Sequence, residues 1–424
     1  MIAALVLTFT GLLLLGLPIA AVLLATTGVT LRFFTWTPLL VLPQQLFNAL
    51  DNFVLLAIPF FILAGAIMTE GEMAGRLVAV IRYLVGRVPG GLAIAGLLGC
   101  IFFAALSGSS PATVIAIGGI MIPALKEAGY EEDFAIGLLT SAGSLGIVIP
   151  PSIPMILYCL VMNVSVSELF MAGVVPGLLI GLIFSLYILA RALSRDWREK
   201  GEFAGPVFLK LLNQGVWAML LPVIVLGGIY TGIFTPTEAA AVAVAYALFV
   251  ELVIYRRLSL AKLNHCLTEA ALLSAALLFI LAAAMTFVWL LTSEGIPAAL
   301  ADWLTGWVHN RWLFLLLINL LFLTLGSVMD DVSAMLILSP LLVESLRRYQ
   351  INLIHYGIIM VMVIEIGFLT PPFGLNLFVA MGLTDKSLIE VSRAVFPFLL
   401  LLLLAIVLVT CCPVLSLWLP SLLK

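Results

Sequence analysis

Charge is what this sequence has least of. Of 424 residues only 19 are basic and 22 acidic, so 10% are charged while 64% are hydrophobic. A soluble chain of this length would need far more charge to cover its surface. The near balance of signs, net −3, gives no electrostatic footprint for nucleic acid. Cysteine and histidine are sparse too. Cys100, Cys159, Cys266, Cys411 and Cys412 have no metal-ligand spacing, and His265, His309 and His355 lie apart in polar stretches. A metal centre or haem site is therefore not expected. There is no nucleophile-and-histidine arrangement and no glycine-rich loop ending in lysine, which argues against an enzyme and against a built-in ATPase. The amino-terminal run lacks the basic start of a cleaved signal.

What is abundant is apolar length. The mean hydropathy is +1.27, and at ~20 residues per span the chain has room for roughly a dozen crossings. The expected class is an all-α polytopic membrane protein in the lipid bilayer. Met1 to about Thr30 reads as a first span with Pro18 as a kink, and Phe396 to about Leu417 as the last. Thr69 to Arg87 spaces arginines among Leu77, Val80, Ile81 and Leu84, the pattern of an amphipathic helix at the interface. Arg191, Arg195, Arg198, Lys200 and Lys210 mark a cytoplasmic segment by the positive-inside rule. It falls at mid-chain, dividing the protein into 1–190, a connector at 191–216, and 217–424. Thr235-Pro236-Thr237-Glu238 fits a capping box, which makes Glu238 structural.

Two stretches break the apolar runs. Between Phe102 and Tyr158 lie SGSSP and GSLGIVIPPS. Between Phe322 and Val379 lie GSVMDDVS and EIGFLTPPFGLN. Pro123 precedes Pro340 by 217 residues; after a four-residue insertion the offset becomes 221, which sets Gly146 on Gly367, Pro150-Pro151 on Pro371-Pro372 and Pro176 on Pro397. This is an internal repeat of a polar hairpin tip followed by a broken helix. An odd number of intervening spans would make the copies inverted, as in many transporters. Unwound backbone survives at membrane depth only inside protein or around a polar species. Free carbonyls with Ser and Thr hydroxyls form an oxygen shell for a hard cation, and without a carboxylate cluster sodium is the expected ion. Half-helix amino termini favour an anion in the same pocket. Ser109, Ser110, Ser152, Ser327, Asp331 and Asn376 are the candidates to touch substrate. Asp331 is read first as a hydrogen-bond partner of tip amides, and Glu365 as either a structural partner for a basic group, the favoured reading, or a coupling residue.

Five ordered segments, LLAIPFFILAGAIM, FFAALSGSSPATVIAIGGIMIP, SLGIVIPPSIPMILY, GIFTPTEAAAVAVAYAL and EIGFLTPPFGLNLFV, resemble the large membrane subunit of tripartite ATP-independent periplasmic (TRAP) transporters. The resemblance covers essentially the whole chain. It implies the elevator fold of the ion transporter superfamily, with two inverted repeats each holding a re-entrant hairpin and a broken helix. It implies a bacterial inner-membrane importer of C4-dicarboxylates, sialic acid or related organic acids, driven by two or more sodium ions. Partners implied are a small four-span Q membrane subunit and a periplasmic substrate-binding protein. One sodium is expected among Ser107, Ser110, Gly146, Ile149 and Pro151, the other among Gly326, Gly367, Thr370 and Phe373. At MDDVSAM the chain departs from the family pattern, which usually has one acid followed by a Thr-Pro-like pair. The alternatives are a standalone sodium/dicarboxylate symporter of the same superfamily and a non-transporting membrane subunit of a redox complex.

Overall fold

The structure, a computed structural model, describes residues 1–195, 197, 205–326, 331–372 and 374–422. Among them every regular element is a helix, and seven stretches are long and apolar enough to cross a membrane. The remaining apolar helices are shorter, and several of them are parts of interrupted helices.

The first expected span is two helices, α1 (Ile2–Leu14) and α2 (Ile19–Phe34), which pack on each other. Gly16 takes φ +74 and Pro18 sits extended at φ −56, ψ 138, so the chain turns where a hydropathy window sees one continuous run. After α3 (Val41–Leu50), the Asn52 side chain accepts from the Val54 amide and starts the turn into α4 (Ala57–Glu70).

Next comes α5 (Met73–Val85), the expected amphipathic helix. Met73, Leu77, Val80 and Ile81 are buried, while Arg76 lies 3.8 Å over the Tyr255 ring and pairs with Glu72. Its amino terminus is capped from far away: Glu251 Oε1 accepts from the Glu72 and Met73 amides at 2.9 and 2.8 Å.

A hairpin follows. Helix α6 (Gly91–Ser107) descends to a tip, and the chain returns through α7 (Ser110–Thr113), a widened turn and α8 (Gly119–Glu127). Then α9 (Glu132–Gly143), the short α10 (Leu145–Val148) and α11 (Ile153–Met162) form an interrupted helix, leading to α12 (Val166–Arg195). Helix α12 continues to Arg195, and α13 (Gly205–Tyr230) begins at Gly205. Arg191 and Arg195 both pair with Glu131, which secures the last turn of α12. The Arg191 guanidinium bound to Glu131 holds that carboxyl below the usual carboxylate range.

Helix α14 (Pro236–Phe249) starts in the expected capping box. Its last turn widens over Val250–Ile254. Beyond α15 (Leu260–Ser293) and α16 (Ile296–Trp307), the earlier order returns: α17 (Arg311–Gly326), α18 (Asp331–Arg348), α19 (Leu353–Gly367), an interruption, α20 (Leu375–Thr384) and α21 (Leu388–Cys411). The last expected span ends early at Cys412-Pro413, and α22 (Val414–Leu422) packs back on α12.

Packing between the two halves is reciprocal. Helix α9 lies on α21 and α19 on α12; α20 lies on α9 and α11 on α19; α20 touches α7 and α11 touches α18. The Tyr158 hydroxyl donates to the Leu353 carbonyl at 2.7 Å, fastening α11 to the start of α19.

Candidate functional site

The first interruption is enclosed. Every residue from Ser141 to Cys159 is buried. Backbone leaves the helix at Ile149 and re-enters at α11, where Ser152 is the N-cap. The Pro150–Pro151 peptide is cis, as is Pro371–Pro372.

The hairpin tip presses against this interruption. Ser107 Oγ lies 3.1 Å from Thr113 Oγ1 and 3.3 Å from the Ser109 carbonyl, to which Thr113 Oγ1 donates at 2.9 Å. Gly146 closes the group from below: a Cβ there would stand 2.7 Å from the Ser109 carbonyl oxygen and 2.9 Å from Thr113 Oγ1. At the tip itself Gly108 takes φ +59, its carbonyl accepts from the Ile153 amide at 3.4 Å, and the Pro151 carbonyl oxygen would lie 2.8 Å from a Cβ on it. The structure thus brings Ser107, Gly146 and Pro151 to one place. It adds Ser109 and Thr113 to the expected cation group. A cluster of hydroxyl and carbonyl oxygens, over a floor that only glycine leaves open, fits a small hard cation. Ile149 belongs to the same turn, but its side chain packs on Gly177.

Around the second interruption, Gly326 and Gly367 are buried at the ends of α17 and α19. Thr370 is half-buried; its amide donates to the Gly367 carbonyl at 3.1 Å and its hydroxyl to the Ile366 carbonyl at 2.7 Å. Ser327, Phe373 and the side chain of Asp331 lie outside the described residues.

Of the expected substrate contacts, Ser110 and Asn376 meet. Both are fully buried, and Asn376 Nδ2 donates to Ser110 Oγ at 2.6 Å, joining the first hairpin to α20. Asn376 Oδ1 has no hydrogen-bond partner among the described residues. Ser109 is half-buried at the tip. Ser152 is committed elsewhere, since its hydroxyl accepts from the Met155 amide at 3.4 Å as the cap of α11. The amino termini of α11 and α20 enter the region as positive dipole ends. Glu365 is fully buried and its partner is not a basic group. Ser144 Oγ lies 2.5 Å from both Glu365 Oε1 and the Ser141 carbonyl oxygen. Sequence reasoning missed Thr113 and Ser144. The repeat offset could have found Ser144, because Ser144 and Glu365 are 221 residues apart.

The model of one family, described as the tripartite ATP-independent periplasmic transporter, DctM component, matches residues 6–415. The chain belongs to that family. It is a multi-pass permease component and not an enzyme. Among its DctM-family relatives, the C4-dicarboxylate TRAP transporter large permease protein DctM of Pseudomonas aeruginosa is 44% identical, over 93% of this chain and 92% of that one. The isethionate TRAP transporter permease protein DctMQ of Oleidesulfovibrio alaskensis is 40% identical, over 94% of this chain and 63% of that longer one. A solved transporter, YdaH of Alcanivorax borkumensis, superposes with a TM-score of 0.59 over 99% of this chain and 98% of that chain. At 16% identity that likeness concerns the fold alone.

Proposed function

We propose that this DctM-family chain is the permease subunit of a sodium-gradient-driven, binding-protein-dependent importer of organic acids in the bacterial inner membrane. The observation that carries the sodium reading is the oxygen cluster of Ser107, Ser109 and Thr113 closed by Gly146. When bound, sodium would supply the positive charge these oxygens coordinate; the chain's part is to bring them to one place. Two or more sodium positions are proposed, the second around Gly367 and Thr370. The substrate carboxylate is proposed to lie against Ser110 and Asn376 and the amino termini of α11 and α20. The 44% identical relative is named for C4-dicarboxylates, which makes that class the first to test.

The mechanism proposed is elevator-type, with two inverted repeats carrying the site. Reciprocal packing of α9 on α21 and α19 on α12 is what a two-fold relation between units produces. Counting from Phe53, five of the candidate spans precede Leu260, among the described residues. If the hairpins re-enter without crossing, five is odd, and an odd count inverts the second unit relative to the first.

Two partners are proposed, a small Q membrane subunit and a soluble periplasmic substrate-binding protein. The relative named DctMQ is longer than this chain, as a fusion of the two membrane components would be. The test is uptake of a labelled C4-dicarboxylate into proteoliposomes holding this chain with its small subunit and the binding protein. Uptake that needs an inward sodium gradient and the binding protein is expected. Equal uptake in potassium overturns the sodium reading, and uptake without the soluble protein turns the assignment to a standalone symporter.

A further inference from the structure

Ser144 and Glu365 lie 221 residues apart, the offset that carries Gly146 onto Gly367 and the first Pro-Pro pair onto the second. Each is therefore the counterpart of the other in the duplicated unit, and they touch at 2.5 Å. In a two-fold arrangement, a position meets its own counterpart only beside the axis, because the separation of equivalents grows with distance from it. This contact accordingly marks the axis between the halves.

Its chain position is as telling. Ser144 is the N-cap of α10 and stands two residues before Gly146; Glu365 lies in the last turn of α19, two residues before Gly367. Helix α10 packs on α19 at this point. Both side chains are fully buried, and Glu365 Oε2 has no hydrogen-bond partner among the described residues. A carboxyl group kept at membrane depth with one partner is a costly way to fill space that an apolar side chain would fill without penalty.

We propose that Glu365 is a positioning residue that ties the two interruptions together across the axis, so that a cation bound at one organises the other. The inference rests on the sodium reading and deepens it. The Ser144 hydroxyl bridges the Ser141 carbonyl and Glu365, so a shift of α10 on closing around a cation near Gly146 pulls on the final turn of α19. The turn that follows carries Gly367 and Thr370. Thermodynamic linkage then requires the effect to run equally in the other direction.

The experiment is sodium-dependent thermal stabilisation of the protein, purified with its small membrane subunit, in sodium chloride against choline chloride. The unaltered protein is expected to show a Hill coefficient above 1. Glu365→Ala is expected to bring it to about 1 and to raise the sodium midpoint roughly 5–10-fold, the size of an ordinary coupling between sites. Glu365→Gln keeps the length and an acceptor for Ser144, and is expected to retain cooperativity. A purely structural Glu365 would lower the melting temperature in choline without altering the Hill coefficient, and that result overturns the proposal. If Glu365→Ala yields no folded protein, Ser144→Ala breaks the same contact from the other side; unchanged cooperativity there overturns it equally. Absence of any sodium-specific stabilisation in the unaltered protein would overturn the sodium reading and this inference with it. Cooperative stabilisation that survives Glu365→Ala would overturn this inference alone.

Discussion

Around the first interruption, burial is unbroken from Ser141 to Cys159; around the second, Thr370 is half-buried and Pro371 and Pro372 are exposed. The same Gly and Pro spacing produced both. In the first half the hairpin tip sits directly on the interruption, with Ser109 and Thr113 oxygens against Gly146. In the second, the Thr370 hydroxyl turns back to its own helix at Ile366. The comparison teaches that an interruption is defined locally by Gly and Pro, while its environment is set by what docks on it. Among the described residues, the first interruption is enclosed by its hairpin tip, while Thr370, Pro371 and Pro372 of the second reach the surface.

Four substitutions break or sharpen this contrast. The largest effect is expected from Gly146→Ala. The added methyl would meet a carbonyl oxygen and a hydroxyl at 2.7 and 2.9 Å, and core overpacking costs about 1–3 kcal/mol. Sodium-dependent uptake in proteoliposomes should fall by roughly 5- to 150-fold, since 1.4 kcal/mol is a factor of ten. Uptake at the unaltered level would show that the enclosed interruption is not where the ion binds. Next come Ser110→Ala and Thr370→Ala, both expected to weaken sodium dependence. Ser110→Ala strands the buried Asn376 amide, at about 1–3 kcal/mol. Thr370→Ala removes a half-buried hydroxyl that already bonds its own helix, and should raise the sodium midpoint less. A larger shift for Thr370→Ala would reverse the contrast between the two interruptions. The smallest transport effect is expected for Glu238→Ala, which lies outside both interruptions. It removes the N3 half of a capping box, so a modest loss of stability is expected. Thermal melts should register that loss while sodium-driven uptake per folded molecule stays unchanged.

Much of the fold was legible because its signals are local. The capping box at Thr235 and Glu238, the amphipathic α5 and both interruptions follow from residues within a few positions of each other. Pro18 was legible as a kink but not as a division into two helices, because Gly16, Leu17 and Pro18 barely lower the hydropathy of a window that includes α1 and α2. The site was legible in part. Ser107, Gly146 and Pro151 converge, but Thr113 joins them only because the tip folds back one helical turn. Nothing near Ser152 in the sequence distinguishes a serine that caps α11 from one that faces the pocket. Long-range pairs such as Asn376 with Ser110 leave no local trace, and nothing near Glu365 shows that it faces Ser144 rather than a basic group.

One contact outside both interruptions bears on how this protein can vary. The Glu251 carboxylate that caps α5 lies where any side chain on Gly71 would go, 2.2 Å from the nearest Cβ position. A residue larger than glycine at 71 would have to evict the carboxylate. Loss of the carboxylate would free the space but leave two amides at the start of α5 without their acceptor. Positions 71 and 251 are therefore coupled across the chain: bulk at 71 displaces the carboxylate that caps α5.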